Sequence, residues 1–178
     1  MMLSYLKTLS TKRIGWILLL LSVIALESTA LYFQHGMALA PCVMCIYERV
    51  ALMGIGFSGF LGMLFSRFNV TRILALLIGL GSSVKGILLV LKHLDYQLNP
   101  GPWNQCSTVA EFPQTLPLDQ WFPSLFQPYG SCSDNVWEFL GVSMVQWIVV
   151  IFAFYVVLFT LLLISQFKRT AINRTLFK

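Results

Sequence analysis

The sequence predicts an all-α membrane protein, a four-transmembrane-helix bundle with both termini cytoplasmic and a long loop on the far side between helices 3 and 4. Three observations predict it. First, the 178 residues are 57% hydrophobic and only 11% charged, with mean hydropathy +0.77, whereas soluble domains run nearer half apolar and a quarter charged. A soluble core of this size could not enclose so much apolar side chain, because roughly half of an ordinary protein surface is already apolar. Second, four apolar runs reach the roughly 20 residues that a helix needs to cross about 30 Å of hydrocarbon. Third, the basic residues are segregated along the chain as membrane orientation requires. Together these exclude a disordered chain, a small secreted disulfide scaffold and a soluble nucleic-acid binder.

The predicted spans are approximately 14–34, 45–66, 73–91 and 142–166, in a single integral membrane domain covering 1–178, with external loops at approximately 35–44 and 92–141. Lys7, Lys12 and Arg13 precede the first span. Its end, Ser28-Thr29-Ala30, also has the layout of a leader cleavage site, but apolar character resumes at Leu31 and favours a retained span. Pro41 cannot extend a preceding helix, so the second span begins within 42–45. Arg67 and Arg72 lie between the second and third spans. Gly54, Gly56, Gly59 and Gly62, with Gly79, Gly81 and Gly86, allow these two helices close contact with their neighbours. The fourth span exceeds the required length, which predicts tilt. It is followed by Lys168, Arg169, Arg174 and Lys178. Most of the basic residues thus share one face, while Asp95, Glu111, Asp119, Asp134 and Glu138 fall in the long loop. The net +5 is therefore topogenic, and no nucleic acid is expected as a partner; the lipid bilayer is. The expected location is a lipid membrane crossed four times.

All four cysteines, Cys42, Cys45, Cys106 and Cys132, fall on the face away from the basic residues. In a bacterial inner membrane that face meets an oxidising compartment where disulfides persist. Structural disulfides are one reading, and for Cys106 with Cys132 it stands level with a reactive role. Cys42 and Cys45 fit it poorly, because a two-residue spacer closes too small a ring to constrain an unfolded chain much. Zinc would want four ligands at short spacings, so no metal is expected, and Ile46 stands where covalent haem attachment needs His. A reactive pair is favoured by local chemistry. Cys45 falls in the first turn of its helix, where unpaired N–H groups and the helix dipole favour a thiolate. Arg49 follows at i+4 on the same face, about 6 Å along the axis, as a permanent cation able to support a thiolate or a carbonyl ligand. Four cysteines allow three pairings, and spacing does not choose among them.

These residues bring a family into view. The stretches ESTALYFQH (27–35), PCVMCIYER (41–49), FPQTLPLDQWFPSLF (112–126), Gly130 to Cys132 and WEFLG (137–141), with Met144, Trp147 and the Ile164-Ser165-Gln166 region, resemble the bacterial disulfide bond formation protein B family. The resemblance covers nearly the whole chain. It implies a thiol:quinone oxidoreductase that reoxidises a periplasmic thioredoxin-like dithiol oxidase of the DsbA type and passes two electrons to ubiquinone or menaquinone in the membrane pool. By the same resemblance Cys106 is the position attacked by the partner's thiolate, Cys132 exchanges with Cys42, Cys45 contacts the quinone, Arg49 orients it, and His93 lines its site. A paralogue dedicated to one partner and a non-enzymatic subunit with structural disulfides are the alternatives.

Three further expectations concern residues outside the cysteine motif. His35 and His93 lie at the external boundary, where ordinary interfacial histidines are expected ahead of a haem pair. Glu27 and Lys85 lie at similar depths, about 20 and 18 Å along their helices, and intramembrane charges usually pair. They are expected to pair with each other. Residues 116–126 mix Leu, aromatics and one acid, which suits an interfacial float holding the long loop near the membrane, with a docking patch for the partner as the competing reading. Removing the apolar side of this segment slows exchange between the cysteine pairs if it is a float, and stopped-flow thiol exchange in nanodiscs measures it. An unchanged rate eliminates the float.

Overall fold

The computed structural model describes residues 2–112 and 117–167. Lys168, Arg169, Arg174 and Lys178, on which part of the orientation argument rests, lie outside the described residues, as does the beginning of the 116–126 segment. Among the described residues the element order is α1 (Met2–Thr11), α2 (Arg13–Leu31), one π turn (Tyr32–Gly36), α3 (Val43–Phe65), α4 (Asn69–Leu98), the short α5 (Leu118–Trp121) and α6 (Pro123–Phe126), a two-residue hairpin β1 (Glu138–Phe139) and β2 (Val142–Ser143), and α7 (Met144–Phe167). Among the described residues four helices are long and apolar enough to cross a membrane: α2 with its π turn, α3, α4 and α7.

These four helices overlap the expected spans, and two of them differ in how they end or begin. The third was expected to stop near 91, but α4 continues to Leu98. Nothing in Lys92–Leu98 breaks a helix, and the stop falls at Asn99, the residue before Pro100, where the α conformation is disfavoured. His93 therefore stands on a helix. The chain also enters the fourth span through the tight β1–β2 turn, with Gly141 at φ +75°, a conformation that glycine adopts without penalty. α1, which the sequence did not announce, packs against α7 and α2 at the end opposite the cysteines. There Trp16 donates its indole N–H to the Ser10 carbonyl at 2.8 Å, and Arg72 donates to Gln166 at 2.9 Å and to the Ser66 carbonyl at 3.3 Å.

α4 packs against α3 on one side and α7 on the other. Glycine makes this closeness possible. Phe159 lies over Gly79 and Phe152 over Gly86, so that a Cβ at either glycine would collide with a ring. Both rings are fully buried. With little hydrophobic driving force between helices in lipid, such interlocking is what holds them together. On the other side Ser58 donates to the Ala75 carbonyl at 2.7 Å, and Trp16 of α2 covers Gly62 of α3. Ser22 and Tyr155 share a hydrogen bond of 2.9 Å between α2 and α7. The outward faces, including Leu18, Leu21, Phe57, Phe60, Leu74, Leu88, Phe154 and Val157, are exposed and apolar, as a lipid-facing surface requires.

Replacing Gly86 by Val destabilises the bundle by about 1–3 kcal/mol, the range for overpacking, whereas Gly81→Ala, where nothing lies within 4 Å of the added Cβ, is neutral or slightly stabilising. Thermal unfolding in detergent distinguishes the two.

Candidate active site

Pro41 ends the first connection and Cys42 takes the N-cap of α3, with extended backbone (φ −84°, ψ 167°). Its sulfur accepts the Cys45 backbone N–H at 3.2 Å, serving one of the amide groups that the first turn of any helix leaves without a partner. This cap turns the two sulfurs towards each other at 2.7 Å, both as free thiols. Cys42 is buried and Cys45 half-buried.

One turn deeper, neighbouring residues of α3 point their charges in different directions. Glu48 reaches α4, where its Oε1 lies 2.8 Å from His93 Nδ1. The other ring nitrogen, Nε2, is 3.4 Å from Cys42 Sγ. Glu48 and His93 are both almost fully buried, and Glu48 Oε2 has no hydrogen-bond partner. A carboxylate on Nδ1 holds a proton there and leaves Nε2 to exchange one with the sulfur. Arg49 reaches α2 instead. Its Nε donates to Glu27 Oε2 at 3.2 Å, and Nη1 donates to Gln34 Oε1 at 2.9 Å and to the Leu125 carbonyl at 3.0 Å. The Phe126 ring lies 5.8 Å from its guanidinium carbon. The expected pairing of Glu27 with Lys85 is therefore incorrect: Glu27 is bonded to Arg49, and Lys85 is exposed on α4. Equal depth in the membrane did not imply a shared face.

The long loop folds back over this end. Cys106 and Cys132 form a disulfide, and Cys132 shares one buried cluster with Cys42 and Met44, with Cys45 and Cys106 at its edge. Three sets of contacts hold the loop there. Tyr129 and Gly130 donate their backbone N–H groups to the Pro41 carbonyl at 2.9 and 3.0 Å, and at Gly130 a Cβ would run into the Ala40 carbonyl. The Glu111 N–H donates to the Tyr47 hydroxyl at 2.7 Å, and the Phe112 ring meets Tyr47 edge-on. Gln34 donates to the Ser124 carbonyl at 2.9 Å. In the expected float, Trp121 and Phe122 are exposed while Phe126 is buried beneath Arg49. Beside the sulfurs opens a cleft of about 440 Å³ among α2, α3, α4 and α7, lined by aliphatic and aromatic side chains together with Cys42, Cys45, Arg49, His93, Gln97 and Trp147.

Comparison with known proteins decides the family. The family described as "Disulfide bond formation protein DsbB" matches residues 12–162. The chain belongs to the DsbB family. Proteins named disulfide bond formation protein B are 66% identical in Histophilus somni, over 99% of this chain and 100% of the relative, and 66% identical in Pasteurella multocida, over 94% of each. In Haemophilus influenzae the identity is 53% over 99% of each chain. With its four apolar helices, this DsbB-family chain is a disulfide-generating oxidoreductase of the inner membrane.

The sequence-predicted residues Cys42, Cys45, Cys106, Cys132, Arg49 and His93 all gather at one end of the bundle, and Trp147 borders the cleft as well. His35, on the π turn, is exposed and apart from them. The hydrogen bonds described for Arg49 go to Glu27, Gln34 and Leu125, not to Cys45. Sequence reasoning missed Glu48, and it missed Glu27 and Gln34 as the groups that fix Arg49. The available signal was that Glu27, Glu48 and Arg49 are three ionisable residues inside apolar spans, where each needs a partner.

Glu27→Ala leaves the buried guanidinium without its counter-charge and lowers stability by about 3–5 kcal/mol. A double-mutant cycle in detergent shows coupling between Glu27 and Arg49 and none between Glu27 and Lys85. Coupling to Lys85 would contradict the geometry.

Proposed function

We propose that this chain is a thiol:quinone oxidoreductase that reoxidises a periplasmic thioredoxin-like oxidase of the DsbA type and delivers two electrons to the membrane quinone pool, ubiquinone or menaquinone. The observation that carries the reading is the gathering of the loop disulfide and the Cys42 and Cys45 thiols into one cluster, with both thiols lining an apolar cleft between the membrane helices. A disulfide and a dithiol held close together are what sulfur-to-sulfur exchange requires. The location also fits: Lys7, Lys12, Arg13, Arg67 and Arg72 flank the other end of the spans, which turns this end towards the periplasm.

In this mechanism the partner's thiolate attacks Cys106, the Cys106–Cys132 bond breaks, and Cys132 leaves as a thiolate. Cys132 then attacks Cys42 of an oxidised Cys42–Cys45 pair, and Cys45 leaves as a thiolate at the edge of the cleft. The partner's second thiolate resolves the mixed disulfide at Cys106, so one disulfide has been transferred to the partner and two electrons have entered the chain. His93, with Glu48 behind it, takes or returns the proton of Cys42 at Nε2. A quinone suits the cleft because its walls are apolar and aromatic, while Arg49, His93 and Gln97 offer hydrogen bonds at fixed points. When bound, it supplies a two-electron, two-proton acceptor. Arg49, held by Glu27, Gln34 and the Leu125 carbonyl, orients and stabilises the oxygen end of such a ligand.

The purified chain in detergent, fed with a reduced dithiol oxidase, reduces quinone, and both Cys45→Ser and Cys106→Ser abolish turnover. Removing Cys132 traps a mixed disulfide through Cys106. His93→Gln slows the exchange at Cys42 by about 10²-fold or more, the usual share of a positioned acid–base group. No turnover with either quinone class, alongside two disulfides that resist a mild dithiol, would make the cysteines struts instead.

A further inference from the structure

We propose that Cys42, Cys45 and His93 form a site for a thiophilic divalent cation of the zinc and cadmium class, present only when the pair is reduced. The two sulfurs and a His93 ring nitrogen all lie within 4.8 Å of one another, with Nε2 3.4 Å from Cys42 Sγ and the sulfurs 2.7 Å apart. Around a tetrahedral zinc with bonds near 2.0–2.3 Å, ligand atoms are spaced by about 3.3–3.8 Å. The ring nitrogen already meets this spacing to Cys42 and lies within 4.8 Å of Cys45 Sγ, and the sulfurs reach it by opening about 1 Å, a small side-chain rotation at the first turn of α3.

The surroundings are also those of a metal centre. The nitrogen that faces the sulfurs is Nε2, and Nδ1 is held by Glu48 at 2.8 Å, the carboxylate–histidine arrangement that orients a metal-bound imidazole. Glu48 Oε2 is buried and unpartnered, a polar group left over in an apolar setting. Two thiolates cancel the charge of one dication, which removes the main objection to placing an ion in a buried site. All three side chains line the cleft, which offers room for water as a fourth ligand. Chain spacing argued against zinc because no second CxxC accompanies the first; the third ligand comes from α4 across the bundle, where spacing cannot display it.

Binding is an acid–base event with no electron transfer: one cation enters, and two thiol protons leave to solvent. The oxidised pair has no thiolate to offer, so cation and disulfide compete for the same two sulfurs, and a bound cation withdraws the pair from exchange. The proposal needs neither the partner nor the quinone, so its failure and that of the reading above are separately visible.

The test uses the full-length chain in detergent with Cys106→Ser and Cys132→Ser, which leaves one thiol pair, titrated with cadmium chloride alone. The expected result for the reduced chain is one cadmium per chain, an ultraviolet sulfur-to-cadmium charge-transfer band and release of two protons. The same polypeptide with Cys42 and Cys45 oxidised shows none of these. Glu48→Gln weakens binding by about 10–100-fold, and His93→Gln weakens it by at least as much. Equal affinity after His93→Gln would reduce the site to an ordinary vicinal dithiol and overturn the proposal. So would a band that survives oxidation, a comparison that involves no substitution at the site and hence no folding defect there.

Discussion

The guanidinium of Arg49 stands where three stretches of chain meet: the upper part of α2 through Glu27, the π turn through Gln34, and the returning loop through the Leu125 carbonyl. A charge at this depth is stable only if it is met on several sides, so these stretches are ordered together or not at all. The loop is accordingly a part of the bundle, closed over its end. Glu48, adjacent to Arg49 in sequence, turns the other way and ties α3 to α4 through His93. The two residues together join α2, the loop and α4 to a single turn of α3, the turn that follows the CxxC pair. The position of the sulfurs relative to the cleft is thus determined by a polar lattice inside an otherwise apolar assembly.

That lattice relies on tight packing below it. Phe152 and Phe159 seated over Gly86 and Gly79 bring α7 close to α4, and the Ser58 bond to the Ala75 carbonyl brings α3 close on the opposite side. With α4 so confined, His93 is delivered to Cys42 at 3.4 Å. At the other end, Arg72, Gln166, Ser10 and Trp16 form a second polar cluster. The bundle is consequently fastened at both ends by hydrogen bonds and in the middle by shape.

The spans were legible because an apolar run of sufficient length has one reading, and the start of α3 was legible because Pro41 leaves few alternatives. The cysteine constellation was legible from spacing, side of the membrane and resemblance. The extension of α4 to Leu98 was hidden because Lys92–Leu98 turns polar, and hydropathy marks where a helix leaves the lipid rather than where it stops. The run up to Pro100 carried that information without being used. The Glu27 partner was misread since depth along two helices says nothing about which faces oppose. The Glu48–His93–Cys42 chain joins residues 45 and 51 positions apart, and no local pattern reports such a contact.

The hydrogen bonds from Tyr129 and Gly130 to the Pro41 carbonyl have a kinetic meaning. They fasten the loop two residues before Cys132 and one residue before Cys42, so the two sulfurs hang on short arms from a common knot. Their encounter is intramolecular over a few bonds, with an effective concentration fixed by those arms and nearly independent of the length or wandering of the remaining loop. Sequence drift elsewhere in the loop can then reshape the surface offered to a partner without changing how often the inner exchange is attempted.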